Sequence, residues 1–114
     1  AQKINAGVLV TGTCETDSSG YPDCRRVFID SINTALNLGS DVNMEIETPL
    51  MYLDKADTFK LAADESILDL VLDHSHTCYN GTDKMNDYGR GCGECPACQL
   101  REKGFREFIE RYAK

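Results

Sequence analysis

The chain has no long apolar run. Its longest, Ala6-Gly7-Val8-Leu9-Val10, is far shorter than the roughly 20 residues a membrane-spanning helix needs. No segment combines a basic start with an apolar centre, so none reads as a secretory leader. An excess of positive charge is also missing. Lys and Arg number 12 against 19 Asp and Glu, a net charge of -7. That balance excludes general DNA or RNA binding, which depends on neutralising phosphates. Basic residues gather only at the end, where residues 99–114 hold five against three acidic ones. Such a patch is too short to be a nucleic-acid surface. No internal repeat, low-complexity tract or long linker is found. An initiating Met is lacking too, and a strand lies close to the first residue, so the chain is expected to be a piece of something longer.

What is present is an ordinary globular mix, with 41% hydrophobic and 27% charged residues in 114. That is the size of one domain and excludes wholesale disorder. Residues 6–12 form an apolar run that fits a buried strand of a parallel sheet. A polar loop over 13–21 follows. Pro22 and Asp23 suit the first turn of a helix. That helix is expected to reach Leu38, with Phe28, Ile32, Ala35 and Leu36 on one face and Gly39 as its C-cap. Residues 44–48 alternate as a second strand before Pro49. Asp54 reads as the N-cap of a helix to about Glu65 that buries Ala56, Phe59 and Ala63. Residues 67–72 are taken as a short helix and 79–91 as a loop. After Cys98 the chain is helical, with an apolar stripe of Phe105, Phe108, Ile109 and Tyr112. The i,i+4 pairs Glu102–Arg106, Glu107–Arg111 and Glu110–Lys114 support that helix. The order of elements is α/β. Two strands do not make a stable sheet alone, so further strands are expected from upstream sequence or a partner chain. The expected division is an α/β segment over 1–77 and a metal-binding element with a terminal helix over 78–114.

The six cysteines are unevenly placed. Cys92-x2-Cys95-x2-Cys98 follows Cys78 after a glycine-bearing loop of 13 residues. Tight x2 turns let neighbouring thiolates converge on one ion, and Gly91 and Gly93 help the backbone turn around Cys92. Four thiolates suit a closed tetrahedral zinc site, structural because no position stays open for water. An iron–sulfur cluster is the chief rival, and plain disulfides are the third reading. His74 and His76 could replace a ligand, but the four cysteines already complete the set. Cys14 and Cys24 stand at no metal spacing. With no histidine nearby to activate them, buried or incidental thiols are the better reading than nucleophiles.

In an open parallel sheet, ligands bind beyond the carboxyl ends of the strands. The segment 13–25 lies at such an end. There Glu15, Asp17 and Asp23 could hold Mg²⁺ or accept from a purine-like edge, and Arg25 could take an anionic group. The competing reading is a polar loop with Asp23 in the first turn of its helix.

Several runs then carry a resemblance. They are Thr11-Gly12-Thr13-Cys14-Glu15-Thr16-Asp17, Ser19-Gly20-Tyr21-Pro22-Asp23-Cys24-Arg25, Glu47-Thr48-Pro49-Leu50-Met51 and Asp54-Lys55-Ala56. Thr77-Cys78-Tyr79-Asn80-Gly81 and Gly91-Cys92-Gly93-Glu94-Cys95-Pro96-Ala97-Cys98-Gln99-Leu100-Arg101 complete the set. Together they resemble the 7-cyano-7-deazaguanine synthase family over nearly the whole chain. The resemblance implies the C-terminal half of a Rossmann-like, adenine nucleotide alpha-hydrolase-like parallel sheet fold with a four-cysteine zinc site. It implies a cytoplasmic carbon–nitrogen ligase of queuosine biosynthesis. Its reactants would be 7-carboxy-7-deazaguanine, ammonia and ATP with Mg²⁺, and a homodimer is compatible with it. The zinc ligands carry over as Cys78, Cys92, Cys95 and Cys98. Asp17, Asp23 and Arg25 carry over as substrate contacts. The family's Ser-Gly-Gly-x-Asp-Ser ATP loop is absent from these residues, which contain no Gly-Gly pair. The chain alone is therefore expected to be inactive. The alternative is a free-standing four-cysteine zinc module that binds a partner.

Overall fold

The computed structural model describes residues 1–113, with Ser18 and Ser19 described by their backbone alone. The expected Glu110–Lys114 pair lies outside the described residues. The chain divides into two compact units, Ala1–Leu53 and Asp54–Lys114.

The first unit is a β-α-β arrangement. Strand β1 (Val8–Val10) pairs in parallel with β2 (Glu45–Glu47), with Leu9 opposite Ile46. Helix α1 (Arg26–Ser40) connects them. The parallel pairing expected from the apolar first run is thus present. Two details of the helix differ from expectation. Pro22–Cys24 forms a separate 3-10 turn, and α1 starts only after Arg25, whose extended backbone is the N-cap. At the other end Gly39 stays helical, and Asp41 takes the left-handed cap at φ 49°, its N–H donating to Asn37 O. Glycine in a helix costs only about 1 kcal/mol, and aspartate is among the few side chains that tolerate that cap. The expected apolar face of α1 is only half covered. Phe28, Ile32 and Leu36 remain 36–43% exposed, and Ile29 is the buried residue instead. Val8, Leu9 and Val10 are themselves exposed, because two three-residue strands offer little surface to pack on.

The second unit has its own core. Helix α2 (Lys55–Asp64) packs on α4 (Pro96–Tyr112), burying Ala56, Phe59 and Phe108, with α3 (Leu68–His74) alongside. The Phe59 and Phe105 rings meet edge to face at 5.2 Å. Asp54 caps α2 as expected, in a full capping box: Asp57 N–H donates to Asp54 Oδ1 at 2.8 Å, and Asp54 N–H donates to Asp57 Oδ2 at 3.3 Å. The far end of α4 ties to the same place, with Arg111 Nη1 2.6 Å from Asp54 Oδ2 and Tyr112 OH donating to Asp57 Oδ1 at 2.7 Å. Gly104 of α4 lets the two helices touch. A Cβ there would stand 2.1 Å from Lys55 Cβ. Within the expected loop at 79–91 lies a small antiparallel hairpin, β3 (Met85–Asn86) and β4 (Gly89–Arg90). Among the described residues no helix is long and apolar enough to cross a membrane.

Candidate functional site

The second unit brings four cysteines together. Cys78 follows α3 in a turn closed by Gly81 N–H donating to Cys78 O. Cys92 follows β4. Cys95 is the N-cap of α4, with Pro96 in the first turn and Cys98 one turn in. The four sulfurs lie within 4.8 Å of one another, and Cys92 Sγ is 3.9 Å from Cys98 Sγ. A tetrahedron of thiolates at a zinc–sulfur distance near 2.3 Å has edges of about 3.8 Å. The cluster could therefore hold a single metal ion with small adjustments. Gly91 makes room for it, since a Cβ at that position would lie 2.5 Å from Cys98 Sγ.

The surroundings favour thiolates. Cys92 Sγ accepts from the N–H groups of Glu94 and Cys95 at 3.3 Å, and from Asn80 Nδ2 at 3.4 Å. Cys98 N–H donates to Cys95 Sγ at 3.4 Å. Burial pushes the Cys78 thiol up, but backbone N–H donors of Cys92, Thr82 and Asn80 outweigh it and bring it down to about 6. The N–H groups of Cys98 and Tyr79 hold Cys95 below the ordinary thiol value. Cys98 goes the other way. Burial, with Cys95 and Cys78 beside it, raises it to about 11. A bound cation favours the ionised form of all four, which is the usual coupling of metal binding to proton release. His76 Nε2 is engaged 2.8 Å from Thr82 O, and neither histidine is in the cluster. The contact of Asn80 with Cys92 was not foreseen from sequence, although Asn80 stands in one of the runs that carry the resemblance. An amide two residues after a cysteine carries no signal until the fold turns it onto another sulfur.

The loop residues of the first unit fall in different places. Glu15 Oε1 accepts from Arg26 N–H at 2.6 Å, so this carboxylate faces the start of α1. Asp17 lies in the 3-10 turn Glu15–Ser19. Asp23 is exposed in the turn Pro22–Cys24, and Arg25 is exposed with its Nε donating to Pro22 O at 2.9 Å. Glu15 N–H donates to Met51 O at 2.8 Å, which joins the loop after β1 to the one after β2. Sequence reasoning passed over Arg26, which hydrogen-bonds Thr48 just beyond β2 and pairs with Asp30 at 2.7 Å. Cys14 is buried and Cys24 half-buried.

The fold and the site define an α/β chain with a four-cysteine element able to bind a metal ion. Residues 1–109 match the family described as "Queuosine biosynthesis protein QueC", and the chain belongs to that family. It is similar to the 7-cyano-7-deazaguanine synthase of Helicobacter pylori (strain Shi470), at 56% identity over 95% of this chain and 48% of that protein. The synthases of Helicobacter acinonychis (strain Sheeba) and Rhodopseudomonas palustris (strain BisB18) are 52% and 54% identical, over 98% and 96% of this chain and 50% and 48% of theirs. The chain thus spans about half the length of the curated relatives it matches.

Proposed function

We propose that these residues are the zinc-bearing part of an ATP-dependent ligase that makes 7-cyano-7-deazaguanine from 7-carboxy-7-deazaguanine and ammonia. The observation that carries this reading is identity above half across nearly the whole chain with synthases of that name. The β1-α1-β2 unit with its parallel pair supports a Rossmann-like sheet, in which the loops at 11–25 and 48–53 sit at the strands' carboxyl ends. The half-exposed apolar face of α1 and β1 supports packing against further elements of a longer protein.

The chemistry explains the need for ATP. A carboxylate resists ammonia until its oxygen becomes a leaving group. Adenylation provides that and releases pyrophosphate, ammonia then gives the amide, and a second activation removes the amide oxygen to leave the nitrile. The phosphates need a cradle such as the family's Ser-Gly-Gly-x-Asp-Ser loop, which is not among these residues. We therefore assign turnover to the longer protein and expect none from the 114 residues alone. Zinc closed by four sulfurs has no position for substrate, so its role is structural. Reduced thiolates fit the cytoplasm.

For the substrate we propose Asp17, Asp23 and Arg25, with Glu15 beside them. Carboxylates accept from the guanine-like edge, and Arg25 holds the substrate carboxylate. In the protein of the relatives' length, Asp17→Asn or Arg25→Ala should lower kcat/KM about tenfold or more, equivalent to about 1.4 kcal/mol. Melting should hardly move. Asp23→Ala separates the roles: lower turnover marks a substrate contact, whereas unchanged kinetics leaves Asp23 an exposed residue of the Pro22–Cys24 turn alone. Wild-type turnover in all three variants would remove the loop from the substrate site.

A further inference from the structure

Arg101 is 5% exposed, the only buried charged side chain among the described residues. It lies on α4 one turn beyond Cys98. Its Nε donates to Tyr88 O at 2.7 Å. Nη1 donates to Ser75 O at 3.2 Å and reaches Thr77 Oγ1 at 3.5 Å, and Nη2 donates to Val71 O at 3.1 Å. These acceptors belong to two separate segments. Val71, Ser75 and Thr77 lead out of α3 into Cys78. Tyr88 begins the arm that runs through β4 to Cys92. Gly89 is fitted to the guanidinium: it has φ 106°, and a Cβ there would lie 2.2 Å from Arg101 Nη2.

Every one of these acceptors is neutral. A buried cation without a carboxylate partner is costly unless negative charge lies close by. Four thiolates around one divalent cation carry an excess of negative charge, and Cys98 is the nearest of them along the same helix. Lysine could supply the charge but not a planar fork that meets three carbonyls at once.

We propose that Arg101 is a positioning residue of the metal centre. Its fork locks the exit of α3 and the hairpin arm onto α4, so that Cys78 and Cys92 are held at the distance from Cys98 that one ion requires. Its charge offsets the excess of thiolate. The inference rests on the reading of the four cysteines as a metal centre.

The test uses the full chain and measures zinc affinity by competition with a chromophoric chelator. It also records the absorption of the cobalt(II)-substituted protein, which reports tetrahedral thiolate geometry. Arg101→Met should bind zinc about tenfold more weakly, the lower end of what residues supporting a metal site contribute. Its cobalt bands should weaken or shift. Arg101→Lys should recover part of the affinity but not the spectrum. If Arg101→Met does not fold, Gly89→Ala pushes the fork off the hairpin with the arginine still present, and the same tenfold loss is expected. Wild-type affinity and spectrum in these variants, even with lower melting, would overturn the proposal and leave Arg101 a support of the fold alone. Failure of the wild-type chain to bind either metal would overturn the metal centre itself, and this inference with it.

Discussion

Replacing Gly104 by alanine sets two effects of opposite sign against each other. Within a helix, alanine is favoured over glycine by about 1 kcal/mol. Gly104 lies inside α4, so propensity alone predicts a more stable protein. Packing predicts the reverse. The new Cβ would stand 2.1 Å from Lys55 Cβ and 3.2 Å from both Lys55 Cα and its carbonyl carbon. Carbon atoms in contact prefer about 3.5–4.0 Å, so α2 and α4 must move apart by about 1.5 Å. That movement strains the Phe59 contacts with Phe105 and Phe108, at 5.2 and 6.1 Å, and the 2.6 Å bond from Arg111 to Asp54. Overpacking of this kind costs about 1–3 kcal/mol, and more where backbone must shift. The net expectation is a loss of up to about 2 kcal/mol after the propensity gain. Gly39→Ala is the control. Gly39 is helical, and nothing lies within 4 Å of an added Cβ, so a gain of up to about 1 kcal/mol is expected there. Urea unfolding of the metal-saturated chain, followed by far-UV circular dichroism, gives both midpoints. Gly104→Ala at or above wild-type stability would refute the close approach of the helices. A destabilising Gly39→Ala would show that α1 ends at Gly39 after all.

Metal analysis of the purified chain should give near one zinc per molecule, and Cys95→Ser should lose it and loosen residues 78–98 with the start of α4; stoichiometric iron with sulfide would refute the zinc assignment. Asp54→Ala should cost about 1 kcal/mol of stability in thermal melts through loss of the cap. The same residue sets a pH dependence. Burial pushes the Asp54 carboxyl up, but the hydrogen bonds from Arg111, Asp57 and Ala56 and the Arg111 charge bring it below the ordinary value of 3.8. A depressed carboxyl contributes stability that is complete above the unfolded value and is lost as pH falls through the folded one. Wild type should therefore lose stability relative to Asp54→Asn only on acidification below about pH 4. A difference that stays flat across the acid limb would contradict the ion pair.

Much of this protein was legible locally. The capping box at Asp54 and Asp57 uses atoms three residues apart, and the apolar run at 6–12 and the alternation at 44–48 announce two strands, although the burial expected of the first is not met. Cys92, Cys95 and Cys98 stand at a spacing that a helix N-terminus brings together, so the four-cysteine cluster, which could hold a metal ion, was expected before any fold was known. The signals that misled were single residues with two uses. Glycine at 39 can end a helix or continue one, and Pro22 can open an α-helix or a 3-10 turn; the neighbouring chain decides, not the residue. Arg101, Asn80 and Gly104 were beyond sequence reasoning for another reason. An arginine, an asparagine and a glycine are common on surfaces and in helices. Their partners stand 13–30, 12 and 49 residues away along the chain. Only when α2, α3, the hairpin and α4 meet does the arginine lose its water, the amide find a sulfur and the missing side chain become the space another helix occupies. Those roles belong to tertiary structure, because desolvation and contact exist only between elements that sequence order keeps apart.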